Sequence, residues 1–331
     1  MILVDHTHLG RTVTGLERIT LELFSAEALA PLPVEPVTAS GTLGLILAQQ
    51  LLLPARLLAD RRAVLLAPGF PPSIPASLFG ARVVPYIHDC FLLTRPQDLS
   101  RKAALYMAPA FRRAVARLPW FLVNSRTTAS ELAAFARPDA EITLYRPEVR
   151  DVFGIGAEAA ARAASARRVE RGGPLRLIAL GTVEPRKNLL AAAAIVEILR
   201  SRHGWDAVLD VVGRPGWGGE AERLEGRPGV VLHGYREREE VRDLLARAHA
   251  FISTSHDEGL GLPLLEAQYA GLPVIAPDKP VFREVLDRSG EFVDPADPAA
   301  AAALVDRLVI RPGVFLTAAA GAMANVERWN A

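Results

Sequence analysis

The sequence predicts an α/β protein of two Rossmann-like parallel-sheet domains facing each other across a cleft. Three observations predict it: the chain length, an alternation of short aliphatic runs with longer helix-spaced segments, and a restart of that alternation near residue 175. At 331 residues the chain exceeds one average domain. Short β-branched or aliphatic runs occupy 2–4, 63–66, 83–87 and 121–123, and segments with helical spacing occupy 16–29, 99–118 and 127–135. From Leu175 the same grammar gives strands at 175–180, 207–212, 230–232, 250–253 and 273–275, with helices at 189–202, 237–247 and 262–269. Parallel strands need crossover helices on both faces of their sheet, which is what this alternation supplies. The first domain is expected over 1–153 and the second over 175–331, with the last helix free to cross back toward the first. Residues 154–174, rich in Ala, Arg and Gly, read as the interdomain connection with a short helix around 158–169.

Composition narrows the function. Half the residues are hydrophobic and 23% are charged, and 38 basic side chains face 37 acidic ones, so the whole chain carries no nucleic-acid signature. Residues 1–150 carry 16 Lys/Arg against 12 Asp/Glu, while 151–331 carry 22 against 25. The basic first half fits an anionic surface or plain solvated scatter equally well. Cys90 is the only cysteine, so an intrachain disulfide and a thiolate metal cage are both excluded. The opening MILVDHTH lacks a secretory pattern, and a cytoplasmic protein is expected. The apolar stretch 43–59 is interrupted by Gln49, Gln50, Pro54 and Arg56, and reads as a buried helix of the first domain rather than a bilayer span.

Ligands of open α/β sheets bind beyond the carboxyl ends of the strands, so chemistry is sought in the loops there. After the strand at 250–253 comes Glu258-Gly-Leu-Gly-Leu-Pro-Leu-Leu-Glu266, opening a helix. Gly259 and Gly261 permit close backbone approach, and Pro263 suits a first helical turn. Such a helix start aims N–H groups and its positive end at an anion, with a carboxylate on either side for hydroxyl-bearing groups. A diphosphate between a sugar and a ribose meets that description. A second loop, Gly181-Thr-Val-Glu-Pro-Arg186-Lys187-Asn188, places a planar fork and a point charge side by side, suited to neutralising a diphosphate.

Together these residues resemble family 4 of the retaining glycosyltransferases, which have the GT-B fold. The family's Glu-x7-Glu motif is matched by Glu258 and Glu266, and its Gly…Arg-Lys-Asn segment by Gly181 and Arg186–Asn188; Val211-Val-Gly213, Leu232-His-Gly234-Tyr235 and Glu284-Val…Phe292-Val-Asp-Pro extend the similarity over nearly all of 175–298. The resemblance implies that Glu266 binds ribose hydroxyls and that Glu258 contacts the donor sugar near its C3 and C4 hydroxyls. It implies further that backbone N–H groups of Gly259, Leu260, Gly261 and Leu262 touch sugar and phosphate, and that Arg186 and Lys187 stabilise the departing diphosphate. Gly213 and Tyr235 are implied near the base, although the residues alone also fit a strand-ending turn and a packing tyrosine.

The similarity is thinner in the first half. Thr14-Gly15-Leu-Glu-Arg18 resembles the Thr-Gly-x-x-Arg loop of mannosyl- and related transferases, which implies that Gly15 lets the loop approach the donor phosphates and Arg18 reaches them; a helix entry with a solvated arginine reads the same way. His88-Asp89 resembles the family's His-Asp, implying that His88 lies beside the donor sugar near its C6 hydroxyl. Asn124-Ser125-Arg126 departs from the family's Ser-x-x-Ser, and no role is carried over to it. His6 and His8 lack further ligands for a metal, and an acceptor-lining role stays open. Segment 100–118 carries Arg101, Lys102, Arg112, Arg113 and Arg117 with no acid, interleaved with Leu105, Met107, Phe111 and Val115 and broken by Pro109. It reads either as a helix resting on an anionic membrane or as a core-facing helix with a solvated basic face.

The resemblance implies retaining transfer of a hexose, GDP-mannose favoured and a deoxyhexose donor next, to a glycan or lipid-linked saccharide in cell-surface polysaccharide or lipopolysaccharide assembly. It implies no cofactor beyond the donor and no catalytic metal, and no two aspartates stand two positions apart as an Asp-x-Asp pair requires. The expected partners are a nucleotide-diphosphate sugar and a saccharide or lipid-linked acceptor, with no nucleic acid, and with peripheral contact at the cytoplasmic face of the inner membrane left open. Two rivals remain: a sugar-nucleotide 2-epimerase of the same fold, and a non-catalytic nucleotide-sugar or glycan-binding partner protein. A dinucleotide dehydrogenase is poorer, since no Gly-x-Gly-x-x-Gly follows the first strand.

Overall fold

The structure, a computed structural model, describes residues 1–10 and 15–331, and divides into two compact units, Met1–Pro147 and Glu148–Ala331. The first unit holds six strands, β1 (Ile2–Asp5), β2 (Val34–Val37), β3 (Val64–Ala67), β4 (Val83–Ile87), β5 (Trp120–Val123) and β6 (Glu141–Leu144), in the order β2-β1-β3-β4-β5-β6. All its pairings are parallel, with Ile2 facing Val34 on one side and Val64 on the other. Leu3, Leu65, Val83, Phe121 and Val123 from the strands pack with Leu53, Leu57, Phe111 and Leu132 from the covering helices into one core.

The second unit repeats the plan with β7 (Pro174–Leu180), β8 (Asp206–Val212), β9 (Val230–Gly234), β10 (Ala250–Ile252), β11 (Val274–Pro277) and β12 (Gly290–Val293), ordered β12-β11-β10-β7-β8-β9 and again wholly parallel. The longest register is β7 on β8, Pro174 to Leu180 against Asp206 to Val212. Leu175, Leu177, Leu209, Val211, Ala250 and Ile252 meet Ile195, Val196 and Leu199 of the Leu189–Ser201 helix and Val305 of the Pro298–Val309 helix in its core. Because β10 lies directly beside β7, the loops leaving these two strands emerge side by side although about 70 residues separate them in sequence.

Three expectations need correction. Strands β2, β6 and β12 were not foreseen, and all three are sheet edges whose sequences, Val-Glu-Pro-Val, Glu-Ile-Thr-Leu and Gly-Glu-Phe-Val, mix charged, Pro or Gly residues into short half-exposed runs. Segment 154–174 is not a free connection. Its helix, Ala157–Ala166, buries Ala160 and Ala164 and packs against the Val314–Asn330 helix of the second unit. Arg167, at its end, is buried, and its guanidinium donates to the carbonyls of Ala248 (2.9 Å), Ala270 (3.2 Å), Gly271 (3.3 Å) and Leu245 (3.4 Å). These oxygens belong to the ends of the Arg238–Arg247 and Leu262–Gln268 helices and the turns after them, where carbonyls lack intrahelical partners and the dipole favours a cation. Third, the helical stretch over 41–59 is buried on one face only: Leu45, Ala48, Gln49, Leu53 and Leu57 point inward while Leu43, Leu47, Leu51 and Leu58 are exposed. Segment 100–118 takes the core-facing form. Pro109 sits in the first turn of the Ala108–Arg117 helix, where its missing N–H is harmless, and Phe111, Ala114 and Val115 are buried.

Removing the Arg167 guanidinium strands several buried carbonyls at once. Arg167→Met is therefore expected to lower unfolding stability by about 2–4 kcal/mol, and Arg167→Lys, which cannot span both helix ends, by nearly as much. Urea unfolding measures this, and a Met variant within half a kcal/mol of the parent disproves the role.

Candidate active site

The site grows from the carboxyl ends of β7 and β10 in the second unit. After β7 the chain turns at Gly181, whose φ is +131°, and a Cβ added there would meet Lys187 Cε at 3.3 Å. The loop leaving β8 closes on the same turn: a Cβ on Gly213 would lie 1.9 Å from the Gly181 carbonyl oxygen, so only glycine fits. A single 3₁₀ turn, Pro185–Lys187, follows, and Asn188 in the left-handed region (φ +50°) starts the Leu189–Ser201 helix. Asn accepts that conformation more readily than most residues. The reversal presents Arg186 and Lys187 on the side of the loop leaving β10.

The two loops are laced together. His256 N–H donates to the Arg186 carbonyl (2.8 Å), Thr254 Oγ1 to the Asn188 carbonyl (2.8 Å), and Lys279 Nζ to the His256 carbonyl. At the centre lies the Glu258 carboxylate, its side chain only 8% exposed. Oε1 accepts from Lys187 Nζ (2.6 Å) and Ser255 Oγ (2.8 Å), and Oε2 accepts from Arg186 Nη1 (2.8 Å). Arg186 also donates to Glu184 Oε1 (2.6 Å) and the Asp257 carbonyl (3.1 Å). Burial by itself pushes the Glu258 carboxyl up, but the charges of Lys187 and Arg186, with the bonds from Lys187 and Ser255, carry it down to about 2. Glu258 is thus a carboxylate at neutral pH, with two cations on it. A pocket beside it is lined by Gly181, Lys187, Ser253, Ser255, Glu258 and Pro263.

The sequence-predicted residues distribute as follows. Arg186, Lys187 and Glu258 come together in one ion-pair cluster. Gly261 (φ +71°) leads into the seven-residue Leu262–Gln268 helix, with Pro263 in its first turn and Glu266 buried on it. Gly259 belongs to the same loop, and Leu260 and Leu262 are buried. Gly213 is used in the contact with Gly181, and its N–H donates to the Gly234 carbonyl (2.9 Å). Tyr235 is exposed and lies under the Arg214 guanidinium, 4.6 Å from its ring centroid. In the first unit, Gly15 and Arg18 lie on the Gly15–Phe24 helix, whereas Thr14 falls outside the described residues. His88, at the end of β4, bonds through Nε2 to the Pro68 carbonyl (2.6 Å) and stacks edge-on to Tyr86; burial, only partly offset by that bond, lowers its pKa to about 4. His88 is accordingly neutral at pH 7 with its proton on Nε2, and its Nδ1 is an acceptor. His8 Nε2 pairs with Thr20 Oγ1 (3.0 Å), and burial lowers the pKa of His6. Sequence reasoning gave no role to Glu184, Ser255, Asp257 or Lys279. Glu184 stood inside the Gly181–Asn188 motif, and the Ser-Thr-Ser run 253–255 at a strand end was a usable signal.

A family model described as glycosyl transferases group 1 matches residues 162–314, which include every member of this cluster. Residues 162–314 are a group 1 glycosyltransferase domain. The serotype-specific mannosyltransferase WbdA of Escherichia coli is 36% identical over 136 residues, 39% of this chain and 16% of the relative, so the chain spans about a sixth of that relative's length. Among solved structures, WaaG, a glycosyltransferase involved in lipopolysaccharide biosynthesis, aligns at TM-score 0.71 with 15% identity over 99% of this chain and 95% of its own. Anabaena Alr3699/HepE in complex with UDP and glucose aligns at TM-score 0.67 with 17% identity over the same shares. The two parallel six-stranded sheets match these GT-B structures in fold.

Within the glycosyltransferase domain the ionisation of Glu258 ties the cluster to pH. The Glu258 carboxyl lies near 2 when folded against 4.5 for the free group, so the stability its ionisation contributes is complete above about pH 4.5 and is lost as pH falls toward 2. In Lys187→Met one cation is gone, the folded value rises toward 4.5, and the acid loss becomes smaller and ends at higher pH. Urea midpoints measured from pH 6 to pH 2 test this, and identical acid limbs for parent and variant contradict the assigned geometry. For His88, the lowered value predicts an NMR titration midpoint near 4; a midpoint near 6.5 means the ring is solvated and not bonded as described.

Proposed function

We propose that the chain is a retaining hexosyltransferase that needs no catalytic metal and moves a sugar, mannose from GDP-mannose favoured, to a glycan or lipid-linked saccharide. The observation that carries this reading is the pair Arg186 and Lys187 converging on one buried carboxylate at the ends of β7 and β10. Two cations fixed by a third charged group form a preorganised anion site, and a departing diphosphate is where negative charge develops in glycosyl transfer. In the proposed step the bond from the anomeric carbon to the diphosphate breaks with its electron pair going to the phosphate oxygen. The acceptor oxygen bonds to the same face of that carbon, and its proton passes to the leaving phosphate. No side chain then serves as a nucleophile. Arg186 and Lys187 are assigned the electrostatic work a metal does elsewhere. Glu266 is assigned to the ribose hydroxyls, Glu258 to the donor sugar, the backbone of 259–262 to sugar and phosphate, and Gly213 and Tyr235 to the base. The mannose preference rests on the mannosyltransferase relative, whose similarity runs over 136 residues, and on the Thr-Gly-x-x-Arg and His-Asp resemblance. Polysaccharide or lipopolysaccharide assembly is part of the same proposal, drawn from the family resemblance.

The test joins binding to turnover. Melting the protein with GDP, UDP and dTDP should single out one nucleotide, since a ligand at 100 times its Kd adds about 2.7 kcal/mol to the native state. Lys187→Ala is expected to lower kcat by roughly 10²–10³-fold, and Glu258→Gln by a comparable factor with the fold retained. Full turnover by both variants, or sugar-nucleotide conversion without any acceptor, defeats the assignment, the latter in favour of an epimerase.

A further inference from the structure

The Leu262–Gln268 helix carries Glu266 and is barely two turns long. Leu264, Leu265 and Ala267 are buried on it, and their apolar contacts are non-directional, so they tolerate a small rotation or slide. A rotation of about 10° moves a side-chain tip at a radius of ~5 Å by roughly 1 Å, enough to break a hydrogen bond. Arg167 holds the Ala270 and Gly271 carbonyls in the turn beyond. On the helix itself, Gln268 is a polar side chain with no exposed surface. It stands about 200° around the axis from Glu266, on the far side of the helix.

The Gln268 amide is one link in a chain of donors. Arg328 Nε donates to Asn325 Oδ1 (2.9 Å), Asn325 Nδ2 to Gln268 Oε1 (2.7 Å), Gln268 Nε2 to Ser289 Oγ (2.5 Å), and Ser289 Oγ to the Leu286 carbonyl (2.6 Å). The ends dictate the direction. Arginine only donates, so Asn325 must turn its oxygen toward Arg328; its nitrogen then faces Gln268, which presents an oxygen in return and passes its own nitrogen to Ser289. Arg328 is fixed in turn on the Glu284 and Val285 carbonyls (both 3.1 Å), in the Pro280–Leu286 helix. Asn325 belongs to the Val314–Asn330 helix, and Ser289 to the turn entering β12. A methionine would fill the Gln268 space with no polar group to satisfy. What the glutamine adds is direction: a hydrogen-bonded stop on the rotation of the helix that bears Glu266.

We propose that Gln268 and Asn325 are positioning residues that aim the Glu266 carboxylate at the ribose of the donor nucleotide, an inference that rests on the reading of Glu266 under the proposed function. They touch no substrate and act through the helix. Replacing Gln268 strands neither neighbour: Asn325 Nδ2 keeps the Val285 carbonyl (3.0 Å), and Ser289 Oγ keeps the Leu286 carbonyl. Gln268→Met is therefore expected to fold, with the loss falling on the orientation of Glu266.

The probes are GDP and UDP, each beside its 2′,3′-dideoxy form, with binding to the full chain measured by calorimetry. The parent is expected to bind one ribonucleotide at least about tenfold more tightly than its dideoxy form, because hydrogen bonds to a charged group are at stake. In Gln268→Met that preference should fall to within about threefold, while affinity for the dideoxy form stays near the parent's. General damage to the fold would weaken both forms together and leave their ratio alone. Combined with Glu266→Ala, the Gln268→Met change should weaken ribonucleotide binding no further than Glu266→Ala does by itself. Ser289→Ala, which frees one end of the same chain, should lower the preference in the same direction, and it decides the matter if Gln268→Met fails to fold. A parent that binds neither ribonucleotide removes the sugar-nucleotide reading and this inference with it. A parent that prefers the ribonucleotide, with variants that keep the whole preference or lose both affinities equally, overturns this inference alone. So does a further drop in the combined variant, which would show Gln268 acting by a route other than Glu266.

Discussion

A carboxylate removed from water must be charged against a penalty of several kcal/mol unless cations reach it at hydrogen-bond distance, and Glu258 is in that position. Its two cations come from a loop some 70 residues earlier in the sequence, so the pair exists only if β10 is laid beside β7 with the loops emerging at the same end. The strand order β11-β10-β7-β8 brings this about, and the crossover helices make that order possible. Gly181 and Gly213 remove the last obstruction, because any side chain on Gly213 would drive the β7 loop off its neighbour and carry Lys187 with it. Topology, two glycines and one ion-pair cluster are thus a single constraint.

That buried ion pairs alone do not mark a site is seen a few residues away. Asp210 in β8 is more deeply buried than Glu258, and accepts from Arg176 in β7 through both oxygens (3.0 and 2.7 Å) and from His233 in β9 (2.8 Å). Those three side chains stand on adjacent strands, so their charges fasten the sheet to itself. The Glu258 group lies past the strand ends on loops, with a pocket against it, where an incoming anion can compete for the cations. Location relative to the strand ends separates the two roles.

The same distinction explains what the sequence disclosed. Central strands such as β7 and β8 are largely buried and read as aliphatic runs interrupted inside only by Arg176 and Asp210, and loop motifs announced themselves through Gly and paired charges. The edge strands β2, β6 and β12 are half solvated, so Glu35, Pro36, Glu141 and Glu291 obscured the pattern. Segment 154–174 misled for a related reason. Alanine packs closely against the last helix without giving an aliphatic signal, and Arg167 buries its charge against backbone carbonyls, which have no letter in a sequence. Within the site, Arg186, Lys187 and Glu258 were legible because their spacing from glycines was distinctive. Ser255 and Glu184 carried only the weaker signals of a Ser-Thr-Ser run and a motif position, since their contribution depends on which group they face.

The ion pairs within the cluster bear on how it would treat a diphosphate under the proposed reaction. Arg186 and Lys187 left unpaired in a part-buried loop would repel each other and spread; Glu258 holds them together at 2.8 and 2.6 Å, with Ser255 and Glu184 completing the frame. A diphosphate entering beside them takes up donors that are already oriented, so little reorganisation remains at the moment the leaving group gains charge. The opposing effect is that the carboxylate competes with the phosphate for the same N–H groups, which weakens ground-state binding. An arrangement that moderates binding of the intact donor while keeping its cations fixed favours the charged leaving group over the substrate, and that difference is what accelerates a reaction.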